Sequence, residues 1–133
     1  MKDLAEAQKL GIAPWTDEVT ELSDYHVVVY KDKYPVTPGH LLFVPRYNTP
    51  QVLQDAFFSA HYHGCKLVDL GNCQGFNIGL NQGEAAGQTV MYPHVHLIPR
   101  RLGDTPNPRG GVRNVRSEEH TSELQSRGLI SYA

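Results

Sequence analysis

Cysteine is nearly absent. Cys65 and Cys73 are the only two among 133 residues, too few for a disulfide framework and not spaced as a CxxC motif. A reducing, cytoplasmic setting is therefore expected. No apolar run approaches the roughly 18 residues of a membrane helix, and the opening MKDLAEAQKL is too charged for a secretory signal. Charge of one sign is also missing: 12 Lys+Arg stand against 14 Asp+Glu, a formal net charge of −2. That balance excludes a nucleic-acid or anionic-membrane binder working by bulk electrostatics. What is present, 40% hydrophobic and 20% charged residues, allows a packed core, and 133 residues suffice for one domain and are too few for two ordinary ones.

The end of the chain reads differently from the rest. Arg116 to Ser126, RSEEHTSELQS, resembles the in-frame translation of a sequencing adapter. Ile130-Ser131-Tyr132-Ala133 fits the adapter's next stretch after Arg127-Gly128-Leu129. A segment without a history of selection alongside a core has no reason to pack on it. Residues 1–115 are thus expected to be the domain and 116–133 a non-native tail, which removes His120 from the functional inventory.

Within 1–115, Asp3 to Leu10 reads as a short helix stopped by Gly11, followed by an irregular Pro14-Trp15 stretch. Tyr25 to Tyr30 (YHVVVY) is β-branched and aromatic and reads as a strand. The loop Lys31 to Gly39 leads to a second strand, Leu41 to Val44, ended by Pro45. Thr49-Pro50 supplies a capping hydroxyl and a proline at the first helical position. Leu53, Ala56, Phe57, Ala60, Gly64, Leu67 and Val68 then recur at helical spacing up to Gly71. Gly75 to Leu80 and Thr89 to Ile98 read as two more strands around the loop Asn81 to Gln88. The pattern predicts an α+β domain: a mostly antiparallel sheet of about five strands, one long helix and a short N-terminal helix.

The chemistry concentrates in Gly87-Gln88-Thr89-Val90-Met91-Tyr92-Pro93-His94-Val95-His96-Leu97-Ile98-Pro99-Arg100. On a strand, Tyr92, His94 and His96 share one face, and the two imidazoles lie about 7 Å apart by strand rise. With an ordinary pKa near 6.5, imidazole is largely a neutral nucleophile at pH 7, and its conjugate acid donates a proton. Two half-buried structural histidines fit the same residues. So does metal chelation at i and i+2, although no carboxylate or thiol follows at ligand spacing. The preceding turn, Asn81 to Thr89, carries glycines that let backbone N–H groups approach an anion, and it becomes a candidate phosphate cradle.

These strings resemble the histidine-triad (HIT) superfamily of nucleotide hydrolases and transferases, whose signature is His-φ-His-φ-His-φ-φ with φ apolar. The chain keeps Gly87-Gln88-Thr89-Val90, His94-Val95-His96-Leu97-Ile98 and Pro99-Arg100, and a second family element as Pro38-Gly39-His40-Leu41-Leu42-Phe43-Val44-Pro45. The resemblance runs from about Tyr25 to Arg113 and implies a HIT-like fold. It places His94 as the nucleophile on an α-phosphate, forming a nucleotidyl phosphoramidate that water then hydrolyses. His96 and His40 would orient and stabilise the phosphate. Asn81, Gln88 and Thr89 would contact phosphate or leaving group, Asp32 the ribose hydroxyls, and Tyr30 and Leu42 the nucleobase. Tyr92 occupies the place of the first triad histidine, with Pro93 after it. The family holds the nucleophile's Nδ1 on that position's main-chain carbonyl, which Tyr92 still supplies, so the tautomer of His94 is expected to be preserved. The Pro93-His94 pair is also similar to galactose-1-phosphate uridylyltransferases, but these carry glutamine where this chain has His96, so hydrolase is read over transferase.

The resemblance implies hydrolysis of nucleoside phosphoramidates or dinucleoside polyphosphates by a homodimer. The partner is a small nucleotide, with no nucleic acid and no membrane. No cofactor is required and no residue is assigned to a resident metal, although a divalent cation such as Mg can accompany a polyphosphate. Tyr92 favours a different class, a weak or inactive nucleotide-binding or scaffolding protein of the same fold. The stretch Gly103 to Arg113 resembles a loop of a bacterial-type branch; Arg100, Arg109 and Arg113 are candidate polyphosphate contacts, although surface solubility explains arginines more often, and Arg101 receives no role. His61 and Cys65, at i and i+4, could share a metal but are equally explained as helix residues. His63 points elsewhere, and His26 reads as structural or pocket rim.

Overall fold

Both helices begin where a short polar side chain can replace the missing helical acceptor. In the computed structural model Asp3 Oδ1 accepts from the Glu6 N–H at 2.8 Å and starts α1 (Leu4–Lys9). Thr49 Oγ1 accepts from the Val52 N–H at 3.2 Å and starts α2 (Pro50–Asp69). Gly71, at φ 79°, follows the α2 cap residue Leu70 in the left-handed conformation that closes many helices. The structure describes residues 1–115. They fall in two units, Met1–Arg101 and a second one from Leu102 onward. The expected non-native tail, 116–133, lies outside the described residues.

The first unit holds β1 (Val27–Lys31), β2 (Leu41–Pro45), β3 (Gly75–Leu80) and β4 (Val95–Arg100) in one antiparallel sheet of order β1-β2-β4-β3. The sheet has four strands against the expected five or so, and the α+β class and the long and short helices are as the sequence predicts. Alternation along the strands builds two cores. Val27, Val29, Phe43, Val95 and Leu97 pack on Ala56 and Ala60 of α2. Val28, Tyr30, Leu42, Val44 and Tyr92 face the other way, onto Leu4, Ala7 and Ala13 of the N-terminal segment. His96 is paired with Leu42 across β2 and β4, so its side chain belongs to the side of the sheet away from α2.

Two expected strands, those read from Thr89 and from Tyr25, begin later than the sequence suggests. Thr89 to His94 stay outside the ladder, and pairing starts at Val95, opposite Phe43 and Leu80. Pro93 has no N–H to donate, which removes a rung from any strand running through it. β1 starts at Val27 because Asp24 Oδ1 takes the N–H groups of His26 and Val27 at 2.8 Å each, closing a side-chain turn before the strand.

The second unit, from Leu102, contains a 3₁₀ turn at Gly111–Asn114. Asn114 Nδ2 donates to the Arg109 carbonyl at 2.7 Å. Among the described residues no helix is long and apolar enough to cross a membrane.

Candidate functional site

The loop before β2 places His40. Gly39 adopts φ 90°, a left-handed conformation that favours glycine, while a Cβ built there would make only an ordinary 3.4 Å contact with the Pro99 ring. Thr37 Oγ1 donates to the Pro99 carbonyl at 2.6 Å, and Arg101 Nη1 donates to the Pro38 carbonyl at 2.8 Å. Two braces thus hold the loop to the end of β4. The Val36 N–H donates to His40 Nδ1 at 3.0 Å, which leaves that nitrogen bare and puts the proton of neutral His40 on Nε2.

From Nε2 the proton points to His96. His40 Nε2 lies 2.9 Å from His96 Nδ1, and 3.4 Å from Asp32 Oδ2. His96 Nδ1 is therefore the acceptor, and its own N–H sits on Nε2. A single backbone N–H, that of Val36, sets the tautomers of two histidines in sequence. Asp32 is held in turn by the Tyr34 N–H, which donates to Oδ1 at 2.7 Å.

His94 is fixed independently. Its Nδ1 lies 2.8 Å from the Tyr92 carbonyl, which can only accept, so Nδ1 carries the proton and Nε2 carries the lone pair. The ring packs 5.1 Å from His96 and 4.9 Å from Trp15. It is 8% exposed, close enough to the surface for a ligand and dry enough to stay neutral. Burial lowers its pKa from 6.5, against the Tyr92 carbonyl and Asp32, which both raise it. Burial first, then neighbouring His94 and His40, lower His96 to about 4 despite Asp32. Burial also lowers His40, again opposed by Asp32. Chemically, the cluster presents one imidazole lone pair on His94 Nε2 and one imidazole N–H on His96 Nε2.

Several other expected site residues are placed differently. Tyr92 is fully buried, its hydroxyl donating to the Pro45 carbonyl at 2.7 Å, so it offers the site its carbonyl and not its side chain. Tyr30 and Leu42 are 4% and 3% exposed in the same apolar cluster, and Tyr30 Oη takes the Gln8 amide N–H at 2.9 Å. Gln88 is buried too: Oε1 accepts from the Gly83 N–H at 2.8 Å, and Nε2 donates to the Val90 and Met91 carbonyls at 3.1 Å each. Its amide is thus consumed in bracing the loop. Within that loop the N–H groups of Ala86, Gly87 and Gln88 bond to loop carbonyls, so these three are already engaged inside the turn. Asn81 and Thr89 are exposed on the segments flanking it.

Arg100 Nη1 donates to Asn77 Oδ1 at 2.8 Å across β4 and β3, while Arg109 and Arg113 belong to the second unit. His26 pairs with Asp55 at 3.3 Å, and His63 meets the edge of Phe43 with ring centroids 6.0 Å apart. Cys65 Sγ lies 3.8 Å from His61 Nε2 on the exposed side of α2. Sequence reasoning missed Trp15, Thr37 and Arg101. Of these only Trp15 carried a signal, as the single tryptophan of the chain in an irregular stretch.

The HIT domain profile matches residues 16–103. The chain is 36% identical over 110 residues to an uncharacterised HIT-like protein of Methanocaldococcus jannaschii, covering 77% of this chain and 84% of that one. It is 36% identical over 77 residues to the asymmetrical bis(5'-nucleosyl)-tetraphosphatase of Schizosaccharomyces pombe, covering 53% of this chain and 42% of that protein, so it spans less than half of that relative's length. The crystal structure of a HIT family protein from Bacillus anthracis superposes with a TM-score of 0.61 at 26% identity, covering 98% of this chain and 99% of that one. On sequence profile, relatives and fold together, this chain belongs to the HIT domain family.

Proposed function

We propose that this chain hydrolyses nucleoside phosphoramidates or dinucleoside polyphosphates through a covalent intermediate on His94. The observation that carries this reading is the fixed lone pair of His94 Nε2, set by the Nδ1 contact to Tyr92 O at 2.8 Å, beside the N–H of His96. In the first step His94 Nε2 attacks the α-phosphorus, and the bond from phosphorus to the leaving group breaks with its electron pair going to that group, which, when it is an amine, takes a proton from solvent as it departs. The ring is then cationic, with Nδ1–H still donating to the Tyr92 carbonyl. His96 Nε2–H meets charge growing on a phosphoryl oxygen, and His40 keeps His96 in that tautomer. Water then attacks phosphorus and gives a proton to solvent, the P–Nε2 bond breaks with its electron pair returning to neutral His94, and a nucleoside monophosphate is released. Asp32 is assigned to the ribose hydroxyls, and Asn81 and Thr89 to phosphate or leaving group. A tetraphosphatase among the relatives supports the substrate class.

Asp32, His40 and His96 bring three potential metal-binding atoms within 4.8 Å of one another. Two nitrogens and one carboxylate suit a zinc-like ion better than Mg²⁺, and here the nitrogens share a proton at 2.9 Å. The reading therefore gives the protein no resident cation; Mg²⁺ enters only with a polyphosphate. It also takes the protein as a cytoplasmic homodimer with no nucleic-acid or membrane partner, in line with the family resemblance. Sedimentation tests the dimer.

Assay of AMP release from a panel of adenylated substrates, with His94→Ala alongside, tests the reaction. Turnover unchanged in His94→Ala removes the nucleophile. The second reading, a nucleotide-binding or scaffolding protein, is favoured by the tyrosine at position 92, whose side chain lies in the core. AMP binding by calorimetry without product release from any substrate supports it.

A further inference from the structure

We propose that Trp15 is the positioning residue for the nucleophile: its indole, 4.9 Å from the His94 ring, fixes the angle of that imidazole and shields it from water. The inference rests on the reading of His94 as nucleophile given above. Three contacts of His94 have a defined geometry, one hydrogen bond and two ring contacts. Two belong to its own segment, the Tyr92 carbonyl and the His96 ring; the third is Trp15, from the N-terminal segment. The Nδ1 bond fixes one atom of the ring and still permits it to tilt. The indole, at 60° to the imidazole, blocks the tilt.

The segment that carries Trp15 is anchored on both sides. Toward α1, the N–H groups of Ile12 and Ala13 donate to the Ala7 carbonyl at 2.8 and 3.2 Å, and Ala13 is buried in the core. Toward β1, the Lys31 N–H donates to the Asp17 carbonyl at 2.9 Å, and Glu18 bridges to Tyr30. Between these anchors the indole rests against Tyr30, ring centroids 6.0 Å apart. None of these residues lies in the histidine motif, so the wall behind the nucleophile is built separately from it.

The titratable groups facing His94 are His96 on β4 and Asp32 after β1, with His40 behind His96. Tyr92 contributes its carbonyl, and Tyr30 lies behind the indole. Opening the Trp15 side to water weakens the desolvation that holds the His94 pKa below 6.5 and leaves the Asp32 attraction in place, so the pKa rises.

Two measurements test this. In Trp15→Ala, kcat on a dinucleoside polyphosphate or adenosine phosphoramidate falls by roughly ten- to a hundredfold with KM nearly unchanged. The acid limb of kcat/KM moves up toward pH 6.5, and Trp15→Phe restores both by keeping a ring in place. Trp15 is the chain's only tryptophan, so intrinsic fluorescence reads the contact without any turnover. An imidazolium in contact accepts an electron from excited indole and quenches it. Emission of the unsubstituted chain therefore drops as pH falls, with a midpoint below 6.5, and the step is lost in His94→Asn. Wild-type kcat and pH profile in Trp15→Ala overturn the proposal, as does a quenching step that persists in His94→Asn. If no substrate turns over, the proposed function fails, and the fluorescence step alone decides the contact.

Discussion

His40 Nε2 lies 2.9 Å from His96 Nδ1, while the opposite nitrogen of His40 accepts the Val36 N–H at 3.0 Å. Protonating either ring on its bonded Nδ1 would set N–H against N–H. The pair is thus held neutral by hydrogen-bond direction as well as by burial, and the one N–H it sends outward is on His96 Nε2. Replacing His40 by Ala removes the group that fixes this direction and leaves the Val36 N–H without its acceptor. The expected result is a loss in kcat of roughly a hundredfold, the size seen when one preorganised donor is lost, with little change in KM. Steady-state kinetics on one phosphoramidate substrate checks it.

Asp32 supplies the nearby negative charge, and it raises the pKa values of His94, His96 and His40 toward the charged form. Asp32→Asn removes that attraction, so all three pKa values fall further. With His94 as the proposed nucleophile, active only when neutral, the acid limb is expected below 6.5 in the unsubstituted chain and at still lower pH in Asp32→Asn. If Asp32 also binds ribose, KM rises in the same variant. A pH series of kcat/KM separates the two effects.

Tyr92 fills the core beside Leu4, Ala7 and Leu42 and donates to the Pro45 carbonyl. Tyr92→Phe keeps the ring and loses the hydrogen bond, costing about 1–2 kcal/mol. Tyr92→His, which restores the triad in sequence, leaves a smaller polar ring in an apolar cavity and costs about 2–4 kcal/mol. Urea unfolding midpoints measure both. The histidine variant is thus expected to be the less stable one, with no gain in turnover unless its ring leaves the core.

The local signals in the sequence are legible because they act through neighbours in the chain. Asp3 and Thr49 cap the helices they precede, the β-branched run ending at Tyr30 forms β1, and the main-chain bond of His94 needs only Tyr92, two residues away. What was not legible depends on distant partners. Nothing near Trp15 says that it ends beside His94, because that contact follows from the anchoring of the N-terminal segment on β1. Gln88 matches a family position for phosphate contact, yet its amide finds Gly83, Val90 and Met91 first. Tyr92 looked like a site residue by its place in the motif, but its size and apolar ring draw it into the core.

Gly64 sets how closely α2 approaches β3. A Cβ built there would lie 2.7 Å from Cδ2 and Cε2 of the Phe76 ring. Gly64→Ala gains about 1 kcal/mol of helix propensity, but the clash forces the ring or the helix to shift, an overpacking cost of about 1–3 kcal/mol. The clash is expected to win, giving a lower thermal midpoint, because the new atom meets the face of the ring, within 2.7–2.8 Å of Cδ1, Cδ2 and Cε2, and the ring also packs against His61.

Rapid quenching into alkali during turnover of a dinucleoside polyphosphate labelled at the α-phosphate, followed by peptide mapping, tests the role of His94 most directly. Phosphoramidates survive base, so the account predicts a nucleotidyl group on the peptide containing His94, formed and discharged at rates compatible with kcat and missing in His94→Ala. Turnover with no labelled peptide, together with undiminished product release from His94→Ala, would contradict it.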